Sequence, residues 1–110
     1  MDFNEYQQLA ARTISKELTS TELIDHAKCG MVAEIGEFHG LFQKYYQGHE
    51  LNRDHVKKEL GDLLWFIAEY CTALNWSFGE IAQMNIDKLK VRYPDGFDPE
   101  KSLHRAEGDI

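Results

Sequence analysis

Cysteine is scarce in this chain, which contains only Cys29 and Cys71 among its 110 residues. Small secreted domains that depend on disulfides carry several closely spaced cysteines, so we expect no disulfide scaffold and a reducing, cytoplasmic location. Proline is equally scarce, with two residues, and alternating β-branched runs are few. The N-terminus lacks a basic region followed by an apolar run, so no signal peptide is expected. These absences favour an intracellular helical protein.

Positive charge is also in deficit, because 19 acidic residues outweigh 12 basic ones and give a net charge of −7. Non-specific nucleic-acid binding depends on a basic surface, so the composition argues against a nucleic-acid partner. No stretch approaches the roughly 18 uninterrupted apolar residues of a membrane helix, so no membrane partner is expected. The length of 110 residues and the apolar fraction of 43% are typical of one soluble globular domain. Residues 1–110 are therefore treated as one domain, in which residues 95–110 form a C-terminal turn and tail.

Apolar residues recur at helical spacing through most of the chain, which predicts an all-α fold with four main helices. Thr19 and Glu22 are spaced for a capping box at the start of the second helix, and Gly48 is a natural stop at its end. Pro94 should end the fourth helix, because the residue before a proline is disfavoured in the helical region. The expected helices span about residues 3–18, 19–47, 53–74 and 77–92.

The third of these helices is apolar on nearly every side over residues 63–68 (LLWFIA). Such a helix requires burial on several sides. One small four-helix domain can scarcely provide this burial. We therefore expect a homo-oligomer whose interface completes the core.

Two acidic pairs with i, i+3 spacing, Glu34/Glu37 and Glu59/Asp62, are the most distinctive feature of the sequence. This spacing puts both carboxylates of a pair on one helical face, where their repulsion costs about 0.2–0.5 kcal/mol. Four carboxylates from two facing helices form an oxygen-rich site suited to magnesium, with manganese as a possible substitute. Because protein-bound magnesium is usually shared with substrate phosphates, the site suggests a phosphate ester or anhydride substrate.

A glycine lies inside each acidic pair, and we expect Gly36 and Gly61 to let the two helix backbones approach closely. Other metal chemistries fit less well. Di-iron bundles carry a Glu-x-x-His step on two helices, and neither acidic pair has one. His26 and Cys29 form a lone pair of potential soft ligands, and no metal-ligand spacing links the exposed or loop histidines His39, His49, His55 and His104. Two solvated acidic patches remain the alternative to a metal site.

Asn85, Lys88 and Arg92 share one face of the fourth helix at i, i+3 and i+7. An amide and two cations on one stripe could bind the phosphates of a nucleotide. The alternative is a solvated basic face near a helix C-terminus, where cations are favoured in any case. Lys44 is a further cation candidate with the same alternative, and Phe66 could stack on a base or simply pack in the core.

The order and spacing of these motifs resemble the MazG-like all-α nucleotide pyrophosphohydrolases, over about residues 3–105. The resembling segments are Glu34-x-x-Glu37, then Glu59-Leu60-Gly61-Asp62 followed by Leu63-Leu64-Trp65-Phe66, then Asn85-x-x-Lys88-Leu89-Lys90-x-Arg92-Tyr93-Pro94 and Asp95-Gly96-Phe97. The opening Asn4-Glu5-Tyr6-Gln7 is also similar to that of short members of the group.

This resemblance implies a magnesium-dependent enzyme that hydrolyses a nucleoside triphosphate between its α and β phosphates, giving a nucleoside monophosphate and pyrophosphate. It implies that Glu37 acts as the base or orients the attacking water, and that Phe66 meets the base of the nucleotide. It also implies a homo-dimer or homo-tetramer. The implied metal ligands are Glu34, Glu37, Glu59 and Asp62. The implied phosphate or sugar contacts are Asn85, Lys88 and Arg92.

Two other functions are compatible with the same motifs. One is a phosphoribosyl-ATP pyrophosphatase, which would apply the same metal chemistry to a different nucleotide. The other is a non-catalytic subunit that keeps the fold and the metal but serves an interaction role. The sequence does not rank the bases, because phenylalanine at position 66 stacks but donates no hydrogen bond.

Overall fold

The computed structural model describes all 110 residues, and its regular secondary structure is entirely helical. The prediction of an all-α fold with four main helices is confirmed, and a short fifth helix follows them. The chain forms two compact units, Met1–Phe78 and Gly79–Ile110, which are described separately below. The helices are α1 (Phe3–Ala11), α2 (Ser20–Tyr46), α3 (Arg53–Ala73), α4 (Phe78–Arg92) and α5 (Pro99–Leu103).

The first helix is shorter than predicted, because α1 ends at Ala11 and not near residue 18. The N–H groups of Arg12, Thr13 and Ile14 bond to carbonyls three residues back, which tightens and closes the last turn. The hydroxyl of Thr13 also donates to the carbonyl of Ala10 at 3.0 Å. Short polar side chains compete with the helical backbone in this way. The predicted extension of the first helix is therefore wrong.

Both predicted ends of α2 are confirmed. The hydroxyl of Thr19 accepts from the N–H of Glu22 at 3.2 Å, and the Glu22 carboxylate accepts from the N–H of Thr19 at 3.0 Å. Gly48 follows the helix in a left-handed conformation, with φ of +100°. The N–H of His49 then bonds to the carbonyl of Lys44 at 3.0 Å, which completes a Schellman-type ending.

The third helix, α3, is capped by Asn52 and ends at a left-handed Asn75, with φ of +57°. The N–H of Trp76 bonds back to the carbonyl of Cys71 at 2.8 Å, so the chain reverses sharply there. Gln7 of α1 then donates to the carbonyl of Trp76 at 2.8 Å. This reversal ties the end of α3 to the first helix.

In the unit Met1–Phe78, α2 and α1 both pack against α3. Gly30 of α2 lies against the Phe66 ring of α3, and an added Cβ there would lie 2.6 Å from Phe66 Cγ. At Gly36 and Gly61 an added Cβ would meet nothing within 4 Å, so the predicted close approach at these two glycines is wrong. Each lies two residues from the first acid of its pair, and two helical residues correspond to about 200° of rotation away from the carboxylate face.

The core of this unit is small. Within a single chain, the side chains of residues 63–67 (LLWFI) are only half-buried. Large apolar side chains such as Val32, Ile35 and Leu60 are exposed by 72%, 53% and 47%. The buried apolar residues are Ala10, Ala27, Ala68, Cys71 and Phe78. Full burial of the apolar third helix is thus not achieved by one chain, and oligomerisation stays a prediction.

The second unit, Gly79–Ile110, contains most of α4, the short α5 and the tail. Tyr93 and Pro94 follow the last residue of α4, as predicted. A turn with Gly96 at φ of +95° leads to Asp98, whose side chain caps α5 by accepting from the N–H of Glu100 at 3.0 Å. None of the five helices combines the length and the hydropathy needed to cross a bilayer.

Candidate active site

Three of the four predicted acidic ligands come together between α2 and α3. One carboxylate oxygen from each of Glu34, Glu59 and Asp62 lies within 4.8 Å of the others. Glu34 is half-buried on α2, Glu59 is 8% exposed on α3, and Asp62 is exposed one turn further along α3. The i, i+3 step on α3 puts Glu59 and Asp62 on the same face. This group of carboxylates is called the acidic cluster below.

The charges in the acidic cluster are strongly coupled. Burial, together with the neighbouring carboxylates of Glu59, Glu37 and Asp62, raises the pKa of Glu34 to about 7. Burial also acts to raise the pKa of Glu59, but its interactions with Glu34, His55 and Glu37 outweigh burial and leave this pKa below its usual value. Glu37 therefore lies close enough to act on both residues, although it is not one of the three mutually close carboxylates.

Two carboxylate oxygens of the acidic cluster lack a partner. Glu34 Oε2 and Glu59 Oε2 are buried and form no hydrogen bond. Leaving a buried polar atom unpaired costs free energy, so such atoms normally indicate a missing partner. Because three carboxylates already surround the position, a cation is the partner that would also relieve their repulsion. The all-oxygen donor set fits Mg²⁺ or Mn²⁺ and lacks the thiolate or imidazole of a typical zinc site.

His55 holds the second oxygen of Glu59. Its Nε2 lies 2.9 Å from Glu59 Oε1, one turn back along α3, and its side chain is 50% exposed. Because His55 engages Oε1, the buried Oε2 is the oxygen of Glu59 that is left without a partner. His55 had no predicted role, although its i, i+4 spacing from Glu59 is a sequence signal for this contact.

Most of the chain matches a known protein family. A family model described as MazG nucleotide pyrophosphohydrolase domain matches residues 21–97, well over half of the chain. The chain belongs to this family. It is also similar to the Gene 37 protein of Mycobacterium phage L5, at 30% identity over 78 residues, which cover 66% of this chain and 68% of the phage protein. No solved structure matches the chain.

Tyr6 is a neighbour of the acidic cluster that sequence reasoning missed in this MazG domain. Burial, and in addition the charge of Asp62, raises the pKa of the Tyr6 phenol. Tyr6 is supplied by α1, and its approach to Asp62 depends on how α1 packs on α3. No local pattern in the sequence carries that information.

The other predicted site residues of the first unit lie at different distances from the acidic cluster. Phe66 follows Asp62 by one turn of α3 and is half-buried, with its ring against the backbone at Gly30. Lys44 is exposed on α2, seven residues past Glu37, which corresponds to about 10 Å along the helix axis. Phe66 thus adjoins the acidic cluster, whereas Lys44 lies two turns beyond it.

The predicted phosphate-binding stripe lies on α4, in the unit Gly79–Ile110. Asn85 and Lys88 are exposed there. Arg92 is already engaged, because its Nε and Nη2 both donate to Asp109, each at 2.8 Å. The side chains of Arg92 and Asp109 are only 9% and 13% exposed. The Arg92 guanidinium lowers the pKa of the Asp109 carboxyl, which fits a two-point ion pair.

Proposed function

We propose that this MazG domain hydrolyses nucleoside triphosphates between the α and β phosphates in a magnesium-dependent reaction that yields a nucleoside monophosphate and pyrophosphate. The observation that carries the proposal is the pair of buried, unpaired oxygens, Glu34 Oε2 and Glu59 Oε2, beside Asp62. These residues lie within the segment 21–97 that matches the family. A cation placed there and shared with substrate phosphates explains why the carboxylates gather at a partly buried position.

Each acidic residue has a distinct part in this proposal. Glu34, Glu59 and Asp62, with Glu37 beside them, would hold Mg²⁺, or Mn²⁺ in its place. When bound, the metal would neutralise charge on the phosphoryl oxygens and lower the pKa of a bound water. Glu37 lies near Glu34 and Glu59 but outside the closest group of oxygens, so we assign it the role of orienting the attacking water and accepting its proton.

The substrate contacts extend the proposal beyond the acidic cluster. Phe66 would contact the base, and Lys44 is a further candidate cation. Asn85, Lys88 and Arg92 would contact phosphate or sugar. Arg92 would exchange the carboxylate of Asp109 for a phosphate, since both anions accept the same two-point hydrogen bonding from a guanidinium.

The direct test is to incubate the purified chain with Mg²⁺ and a panel of nucleoside triphosphates, and to identify the products by chromatography. Monophosphate plus pyrophosphate is the expected result. Turnover of phosphoribosyl-ATP alone would replace the proposed substrate with that of the histidine-pathway relative. If no nucleotide is turned over although Mg²⁺ binds, the chain is a non-catalytic binding subunit and the enzymatic proposal is wrong.

We also propose that the chain works as a homo-dimer or homo-tetramer. The support is the small core: the apolar segment 63–67 of α3 is only half-buried, and Ile35 and Leu60 are exposed close to the acidic residues in sequence. Light scattering coupled to size-exclusion chromatography should give two or four times the 12.8 kDa mass of one chain. A monomer at micromolar concentration would contradict this part of the proposal.

The affinity for Mg²⁺ should depend on pH through Glu34. Its pKa of about 7 in the metal-free protein means that a proton must leave before the metal binds. As the pH is raised towards about 7, the affinity for Mg²⁺ should increase by up to ~tenfold per pH unit. Above that pH the affinity should level off. Titration calorimetry in buffers of different ionisation enthalpy would measure both the affinity and the released proton.

The stability of the metal-free protein should show the opposite trend. The pKa of Glu34 is raised above its usual value of 4.5, so the folded state holds this proton more tightly than the unfolded state does. The resulting stabilisation is fully present below about pH 4.5 and is lost as the pH rises through about 7. Glu34→Gln should remove this contribution, and an unchanged pH profile in that variant would contradict the assignment.

His55→Leu should weaken Mg²⁺ binding by about 10–100-fold, the usual effect of losing a hydrogen-bond partner of a metal ligand. The reason is that Glu59 Oε1 would lose its donor at 2.9 Å and the carboxylate could turn away from the acidic cluster. His55→Gln keeps an N–H donor and should retain more of the affinity. His39→Leu, on the exposed part of α2, is the matched control. Equal affinities in all three variants would show that His55 does not position Glu59.

A further inference from the structure

A second buried carboxylate lies on α3, outside the acidic cluster. Glu69 is 1% exposed, and its Oε1 lies 2.7 Å from Nδ1 of His26 on α2. Its other oxygen, Oε2, is buried and unpaired. Burying a carboxylate with one oxygen unpaired costs free energy. Packing alone therefore does not explain a glutamate in the middle of an apolar helix.

The His26–Glu69 pair lies on the same interface as the acidic cluster. His26, Gly30 and Glu34 follow one another at steps of four on α2, and they face Glu69, Phe66 and Asp62 on α3. The pair is thus about 12 Å from Glu34 along α2. Phe66 lies between the two sites, with its ring centroid 5.5 Å from that of His26. This span is of the order of the distance between the phosphates and the base of an extended nucleotide.

The contact with Glu69 also decides what His26 offers to a ligand. In the neutral imidazole, a carboxylate hydrogen-bonded at Nδ1 favours the tautomer that carries its proton on Nδ1. Nε2 is then the nitrogen that carries the lone pair, on a side chain that is 50% exposed. The imidazole ring of His26 also packs at a tilted angle against the ring of Phe66. The result is a hydrogen-bond acceptor held in a fixed orientation beside an aromatic ring.

We propose that the His26–Glu69 pair reads the nucleobase of the substrate and favours bases that carry an exocyclic amino group. The inference rests on the proposed function, because the acidic cluster fixes where the phosphates go. Nε2 of His26 accepts a hydrogen bond from the amino group, and Glu69 is the positioning residue that sets the tautomer. Cytosine presents an amino donor where uracil presents a carbonyl acceptor. The pair therefore separates cytosine from uracil, which Phe66 alone does not.

The test measures binding of CMP and UMP, both potential reaction products, to the full chain, with and without Mg²⁺. Trp65 provides a fluorescence signal, since its ring centroid lies 5.0 Å from that of Phe66. The parent should bind CMP about tenfold more tightly than UMP, as expected for one hydrogen bond to a fixed acceptor. His26→Phe and His26→Ala should both bring the ratio close to one. Glu69→Gln, which keeps the volume but removes the charge, should lower it.

His39→Phe, on the exposed part of α2, is the control and should leave the ratio unchanged. A ratio in His26→Phe and His26→Ala equal to that of the parent overturns the inference, as does equal or absent binding of both nucleotides by the parent. Circular dichroism of each variant shows that the helices are retained. The readout is binding, so it separates the two proposals: hydrolysis without base preference refutes only this one, and base preference without hydrolysis refutes only the proposed function.

Discussion

Replacing Glu59 by glutamine is expected to abolish measurable Mg²⁺ binding and to lower hydrolysis of nucleoside triphosphates by more than about 100-fold. Changes to residues that merely support a metal ligand already cost about 10–100-fold, and Glu59 is the most buried ligand candidate in the acidic cluster. Its depressed pKa means that it contributes a full negative charge near neutral pH. An amide in the same place offers one neutral oxygen.

The fold should survive this substitution. Glutamine preserves the volume of the side chain, and His55 can still donate to its carbonyl oxygen. Removing one charge also relieves repulsion with Glu34, whose pKa Glu59 helps to raise. We therefore expect unchanged helix content by circular dichroism and equal or slightly greater stability without metal. Glu50→Gln, in the exposed loop after α2, is the matched control and should leave Mg²⁺ binding intact.

Titration calorimetry with Mg²⁺ and electron paramagnetic resonance with Mn²⁺ would measure the loss of binding independently of activity. Parental affinity in Glu59→Gln would contradict the assignment of Glu59 as a ligand. Loss of helix content in both Glu59→Gln and Glu34→Gln would mean that these acids serve the fold, and the enzymatic proposal would be withdrawn.

Local chemistry explains why most helix ends were predictable. The box formed by Thr19 and Glu22, the left-handed Gly48 and the restriction imposed by Pro94 each act within a few residues. Apolar periodicity did not mark the end of α1, where the hydroxyl of Thr13 competes for a backbone carbonyl while the apolar pattern continues. Signals confined to one turn were thus more reliable than the pattern that spans several.

Three of the four predicted acids come together in the acidic cluster, because i, i+3 spacing puts Glu59 and Asp62 on the same face of α3. The side chains that pair with acidic residues from far along the sequence were not predictable from spacing. His26 meets Glu69 across 43 residues of sequence, and this pairing depends on the register of α2 against α3. Arg92, which is predicted to contact phosphate or sugar, pairs with Asp109 in the tail after α5, and no periodicity of the sequence indicates that partner. Contacts set by tertiary register were the part that the sequence did not disclose.

We expect the contact between Gly30 and Phe66 to set that register, so a substitution at Gly30 should also have a large effect. Gly30 is buried on α2, and the Phe66 ring of α3 packs against its backbone. A methyl group there would lie 2.6 Å from Phe66 Cγ, closer than real Cβ contacts. The aromatic ring is rigid and cannot bend aside as a flexible chain end does, so the two helices would have to separate or slide.

Gly30→Ala is accordingly expected to destabilise the protein by about 1–3 kcal/mol, the usual cost of overpacking. This overpacking cost should exceed the gain of about 0.5–1 kcal/mol that alanine brings to a helix interior, so the variant should be less stable than the parent. For a domain of this size, each kcal/mol shifts Tm by about 4–8 °C.

Gly36→Ala, on the same helix with open space around its Cβ, isolates the effect of packing. It should be neutral or stabilising by about 0.5–1 kcal/mol, because only the helix propensity changes. Urea denaturation of both variants, in the presence of EDTA, measures the difference. Gly30→Ala should also weaken Mg²⁺ binding, because Glu34 and Asp62 lie one turn away on the two helices that would have to move apart. Equal stability of the two variants would show that the Gly30–Phe66 contact does not set the register of the site.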